Sequence, residues 1–167
     1  RDTRFIHRDE SIRTGENSRA NLEFRSGIRL DVGPETTFKA GGKEKRVKLQ
    51  MKGGSLLSRV PHQSAEEEYV IHTPTAIASV RGTDFMVEHV NDETTTVVDD
   101  GAVHMTAAGK EIDLKAGMVA VATREGFKRV EEATKEARQR VRDSVENIRG
   151  MSGTIRRQID EMNRLRE

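Results

Sequence analysis

Two hydrophobic periods divide this chain, and the division limits what it can fold into. From Arg1 to about Arg124, short segments alternate apolar with polar residues: "ANLEF", "IRLDV", "KRVKLQM", "TTTVV", "AVHM", "EIDL" and "MVAVA". Alternation of this kind is the mark of half-buried strands. Gly15, Gly27, Gly33-Pro34, Gly41-Gly42, Gly53-Gly54, Gly101, Gly109 and Gly117 break the segments apart. Turn signals spaced roughly 8–12 residues apart predict an all-β domain over residues 1–124, and leave sandwich, barrel and solenoid open.

Beyond Gly126 the period becomes helical. "FKRVEEATKEARQRVRDSVENIRGMSGTIRRQIDEMNRLRE" is rich in Glu, Arg, Lys and Ala, which are good helix formers. Val141, Val145, Ile148, Ile155, Ile159 and Met162 fall on a heptad seam, with Ser152 at one seam position. The spacing predicts a charged helical segment over 125–167, either two helices broken at Gly150 and Gly153 or, as the unbroken seam register favours, one helix roughly 60 Å long. Its narrow apolar stripe predicts a coiled-coil contact with a second copy or another helix; the alternative is that its first half, Phe127 to Val141, packs back on the β domain and the rest frays.

Composition removes several function classes. The 167 residues contain no Cys, so disulfide scaffolds, thiolate metal sites and thiol nucleophiles are excluded. Aromatics are 4% with no Trp, so the core must be built from aliphatic side chains. The net charge of +1 carries no polyanion-binding signal. The helical segment has eleven basic and eight acidic residues, interleaved as on a solvated helix, so nucleic acid is not an expected partner. No apolar run approaches the ~20 residues of a membrane span, so no membrane attachment is visible.

The segment "HTPTAIASVRGTDFMVEH", His72 to His89, combines a Pro, a Gly and a lone Arg within small residues. Pro74 biases Thr73 to extended backbone. Ala76, Ala78 and Val80 share one parity, whereas Phe85 and Val87 take the other. A β-bulge at Arg81-Gly82 would restore all five to one face. Pro74, Arg81, Gly82, Thr83 and Phe85 are therefore expected to form a structural motif, with Arg81 bracing the bulge, against Asp84 or a neighbouring coil, or else holding a ligand carboxylate.

The same stretch, "TPTAIASVRGTDFMV", resembles the signature of the FecR domain family, extracytoplasmic sensor domains named for a regulator of ferric-citrate uptake. Upstream, "ESIRTGENSRANLEFRSGIRLDVGPETTF" is similar to that family's opening; downstream, "TTTVVDDGAVHM" and "IDLKAGMVAV" are similar to its later segments. The resemblance covers roughly Ile6 to Ala122. It implies a twisted, solenoid-like stack of short strands and a location outside the cytoplasm, in the periplasm of a bacterium. It also implies a protein partner in the cell envelope; the best-known members take a signal from an outer-membrane transporter and pass it across the membrane to a sigma factor. This chain departs from that layout in carrying a charged heptad segment after the β domain.

Catalytic and metal chemistry find little support. His7, His62, His72, His89 and His104 form no ligand pair at helical or strand spacing. Asp92-Glu93 and Asp99-Asp100 sit at turn positions, where carboxylates bond local backbone. Ser18 and Ser58 lack a nucleophile context, and "GGKEK" reads as a hairpin tip rather than a phosphate loop. The expectation is a non-enzymatic interaction module for envelope signalling or sensing, without cofactor or metal; the alternative is a structural scaffold self-associating through its helix.

Overall fold

The computed structural model describes residues 5–43, 45–62 and 64–148. Among them run thirteen strands: β1 (Ser11–Arg13), β2 (Ala20–Glu23), β3 (Arg29–Val32), β4 (Thr37–Lys43), β5 (Arg46–Val60), β6 (Glu68–His72), β7 (Ile77–Val80), β8 (Thr83–Val90), β9 (Glu93–Asp100), β10 (Ala102–Ala107), β11 (Lys110–Lys115), β12 (Met118–Thr123) and β13 (Gly126–Glu132). A helix, α1, spans 135–148.

The fifteen-residue β5 organises the rest. Its first half pairs with β4 and β6, its second half with β3 and β8. Two halves result. One half runs β11-β10-β7-β6-β5-β4-β1 and the other runs β2-β3-β5-β8-β9-β12-β13. Gly53 and Gly54 mark the passage between them. Gly54 has φ 101°, and a Cβ there would overlap Thr36. The Thr36 hydroxyl instead accepts the Ser55 N–H at 2.9 Å. Only glycine permits this close crossing.

The halves close over one core. Leu30, Phe38, Leu49, Leu56, Tyr69, Ile71, Phe85, Val87, Met105 and Leu114 are fully buried in it. The result is a nearly closed, barrel-like sheet rather than the expected solenoid-like stack. A solenoid stacks parallel coils, but β5–β6 is the one parallel pairing among the described residues.

The long coiled-coil helix is also corrected. Residues 126–132, rich in helix formers, form β13 along the edge of β12; pairing with an available strand outweighs intrinsic propensity. The helix begins only after Thr134, whose hydroxyl caps it by accepting the Ala137 N–H at 3.1 Å. Val141, Val145 and Ile148 are buried. Val141 and Val145 pack on Leu57, Met86, Val97 and Val119, four residues in one row across the outside of β5, β8, β9 and β12. The described part of the stripe that suggested pairing with a second copy is thus buried within the chain. Ile155, Ile159 and Met162 lie outside the described residues.

Candidate functional site

His72 to His89 sits where the two halves meet. The chain leaves β6 through a turn in which the Thr73 N–H donates to the Ala76 carbonyl at 2.9 Å. Pro74 is exposed at the corner. The Thr73 hydroxyl accepts the N–H groups of Thr75 (3.3 Å) and Ala76 (3.0 Å). Thr94 of β9, fully buried, receives both flanking threonines: its oxygen is 2.7 Å from the Thr73 hydroxyl and 2.6 Å from that of Thr75. It also lies 2.9 Å from His89 Nδ1. A hydroxyl has one proton and two lone pairs. All three contacts are satisfied when Thr94 accepts from Thr73 and Thr75 and donates to a neutral His89. This threonine clasp ties the β6–β7 turn of one half to β8 and β9 of the other.

The Thr94–His89 pair superficially resembles a nucleophile and its base. Complete burial and three committed hydrogen bonds leave Thr94 no access to a substrate. Burial is the main cause that holds the His89 imidazole below its ordinary value; nearby Arg124 adds to it and Asp92 opposes it.

The irregularity in this segment is arranged differently from the single bulge expected at Arg81-Gly82. Those two residues form a bend that carries the chain from one half to the other. Gly82 has φ 134°, and a Cβ there would stand 3.0 Å from His62 Cα. The bulge lies across the ladder instead. Asp84 faces Asp100 and Phe85 faces Val98, which leaves Asp99 as the extra residue of β9. Arg81 is exposed and forms no ion pair among the described residues. Thr83 is buried and donates to the Ala102 carbonyl at 2.8 Å. Phe85 meets Tyr69 edge to face at 6.2 Å. The Tyr69 hydroxyl lies 2.9 Å from Ser58 Oγ in the core, and burial pushes its pKa far above the usual phenol range.

The bulge aims Asp99 at the helix. Its carboxylate, with the side chain only 13% exposed, accepts from Arg138 Nε at 3.2 Å and from Arg142 Nε at 3.0 Å. Both arginines lie one turn apart on the helix. The sequence places Asp99 beside a D-G turn, and nothing local signals a partner some forty residues later.

The remaining candidates disperse. The β8–β9 turn, with Asn91 and Asp92 at positive φ, is tied to the β12–β13 hairpin by Arg124–Asp92 (3.3 Å) and Lys128–Glu93 (2.6 Å). His104 hydrogen-bonds Asp113 at 2.8 Å on the surface, which raises its pKa. His72 is lowered, first by burial and then by Lys48. No group of three or more metal-ligating side chains occurs among the described residues. No helix among them is long and apolar enough to cross a membrane.

The stretch from β1 through the clasp into β10 is matched by a family profile. The profile described as FecR protein matches residues 10–104, more than half of the chain. The chain belongs to the FecR family. The matched span contains Thr73, Thr75, Thr94, Gly82 and Asp99, whereas β11–β13 and the helix that Asp99 holds lie beyond it. Two crystal structures of a candidate anti-sigma factor from Parabacteroides distasonis have a similar fold. Each has a TM-score of 0.65 and 13% identity, and the alignment covers 77% of this chain and 61% of that one. This FecR-family chain therefore spans less than two thirds of those relatives. No curated protein sequence matches it.

Proposed function

We propose that this chain is a non-enzymatic, protein-binding module acting outside the cytoplasm in a bacterial cell-envelope signalling system. Membership of the FecR family is the observation that carries the reading. The fold shared with a candidate anti-sigma factor supports a regulatory output. Side-chain chemistry is consistent with binding rather than turnover: the polar groups held in fixed geometry, at the clasp and at Asp99, are used in joining parts of the fold.

A membrane-impermeant, amine-reactive cross-linker applied to intact native cells tests location and partnership together. Exposed lysines such as Lys39, Lys48 and Lys115 supply the reactive amines. The expected result is a discrete adduct between this chain and an envelope protein, identified by mass spectrometry. A chain that stays unmodified until the cells are broken would overturn the extracytoplasmic location. Modification without any adduct would overturn the protein-binding role.

A further inference from the structure

The outer face of β1, β4 and the first half of β5 carries six exposed cations, five of them without an ion pair among the described residues. Strict alternation turns Ile12, Phe38, Ala40, Val47, Leu49 and Met51 inward, and Arg13, Lys39, Lys43, Arg46, Lys48 and Lys52 outward. The pairing places these outward residues on adjoining strands: Lys43 lies opposite Arg46, and Lys39 opposite Gln50. Lys39 approaches Asp9 at 4.0 Å. The other five form no ion pair and no side-chain hydrogen bond among the described residues, although Glu68 lies across from Arg46. Elsewhere the cations of Arg29, Arg124, Lys128, Arg129, Arg138 and Arg142 each hold a carboxylate. Other exposed cations, such as Arg81, Lys110, Lys135 and Arg140, stand apart from one another, whereas these six share one sheet face on three adjoining strands.

The face is about 10 Å across three strands and roughly 20 Å along them. Neighbouring cations on adjoining strands lie within about one Debye length of each other at physiological salt, so each adds to the attraction that a facing anionic surface feels. The side chains present narrow the occupant. No aromatic ring points outward from these strands, so single-stranded nucleic acid has nothing to stack on. Protein interfaces favour Arg and aromatic anchors and are depleted in Lys; four of these six cations are Lys. Flexible point charges on an extended sheet suit a diffuse anionic surface better than a shaped one.

We propose that this face is an electrostatic contact surface for an anionic lipid bilayer, laying the β domain against a membrane through the outward side of β1, β4 and the first half of β5. Juxtamembrane basic groups act in this additive, salt-sensitive way. The contact is separate from the protein-binding role, and its test uses the purified chain without any protein partner.

The full chain is sedimented with phosphatidylcholine vesicles with and without phosphatidylglycerol. Binding is expected only with the anionic lipid, and raising salt from about 0.05 M to about 0.5 M should abolish it. Replacing Lys43, Lys48 and Lys52 together by Gln should weaken partitioning more than about tenfold. Replacing Lys110, Lys135 and Arg140 by Gln removes the same charge from exposed positions elsewhere and should change it less than about twofold. Circular dichroism confirms that both variants fold. Equal losses in the two variants would reduce the effect to net charge and overturn the proposal. So would binding to soluble polyglutamate without binding to vesicles, which would indicate an acidic protein as the occupant.

Discussion

The outer faces of the two sheet halves follow opposite designs, although one strand, β5, contributes to both. Its first half sends Arg46, Lys48, Gln50 and Lys52 outward, and no element among the described residues covers that face. Its second half sends Leu57 outward beneath Val141 and Val145 of α1. The difference shows that strand pattern alone encodes the number of layers. Where one side meets water, burial alternates; where a helix covers the other side, burial is continuous, as in Val119-Ala120-Val121-Ala122. Asp99 then fixes where the helix lies, by a charge contact that apolar packing cannot specify.

The sharpest way to break this comparison is to charge each face in turn. Val141→Asp places a carboxylate in the dry seam between helix and sheet and should cost about 3–5 kcal/mol, read as a lower urea midpoint. Lys48→Asp on the bare face should stay within about 0.5 kcal/mol. Comparable losses at the two sites would mean that the helix is not a structural layer.

A smaller effect is expected at the bend that joins the halves. Gly82→Val requires a β-branched residue at φ 134° beside His62 and should cost about 1–3 kcal/mol. An unchanged thermal midpoint would show that the bend adjusts freely and that the halves are not rigidly coupled there.

Asp99→Asn should cost roughly 1 kcal/mol, since both arginines are partly exposed. Amide exchange should locate the loss in 135–148 and leave β6 and β7 unchanged. Equal acceleration throughout would mean that helix and sheet open as one unit.

Much of this comparison is legible in the sequence. The inward sets Val47, Leu49, Met51 and then Leu56, Val60 change parity across Gly53-Gly54, which marks the passage of β5 between halves. The outward Arg46-Lys48-Lys52 row is equally plain, yet a net charge near zero conceals it, because the compensating carboxylates lie elsewhere on the fold. The run "MVAVA", grouped with the alternating segments by its length, is apolar throughout, and that continuity carries the signal of a covering layer. Three things are not legible. Closure of the sheet depends on non-local pairing that short alternating segments share with solenoids. β13 has a helix-former composition and becomes a strand because the edge of β12 is available. The clasp unites Thr73, Thr75, His89 and Thr94 through side-chain contacts between halves, and threonines at those positions look like ordinary strand and turn residues.

The smallest effect concerns the clasp and appears only against pH. Burial, assisted by Arg124, keeps the folded His89 below its ordinary value of 6.5, with Asp92 opposing. The unfolded chain therefore binds this proton more tightly than the folded chain. The stability contributed is complete above the unfolded value and is lost as pH falls through the folded one. The hydrogen bonding has the same sign: a protonated Nδ1 becomes a donor, and Thr94 would then face three donors with two lone pairs. His72 titrates in the same direction and His104 in the opposite one, so the whole-protein profile mixes their contributions. His89→Asn isolates the clasp, because an amide oxygen near the Nδ1 position still accepts from Thr94 and does not titrate. Between about pH 7.5 and about pH 5.5, the wild-type chain should lose more thermal stability than His89→Asn does. Parallel curves for the two proteins would show that the imidazole is solvated in the folded state and that the clasp is held by its threonines alone.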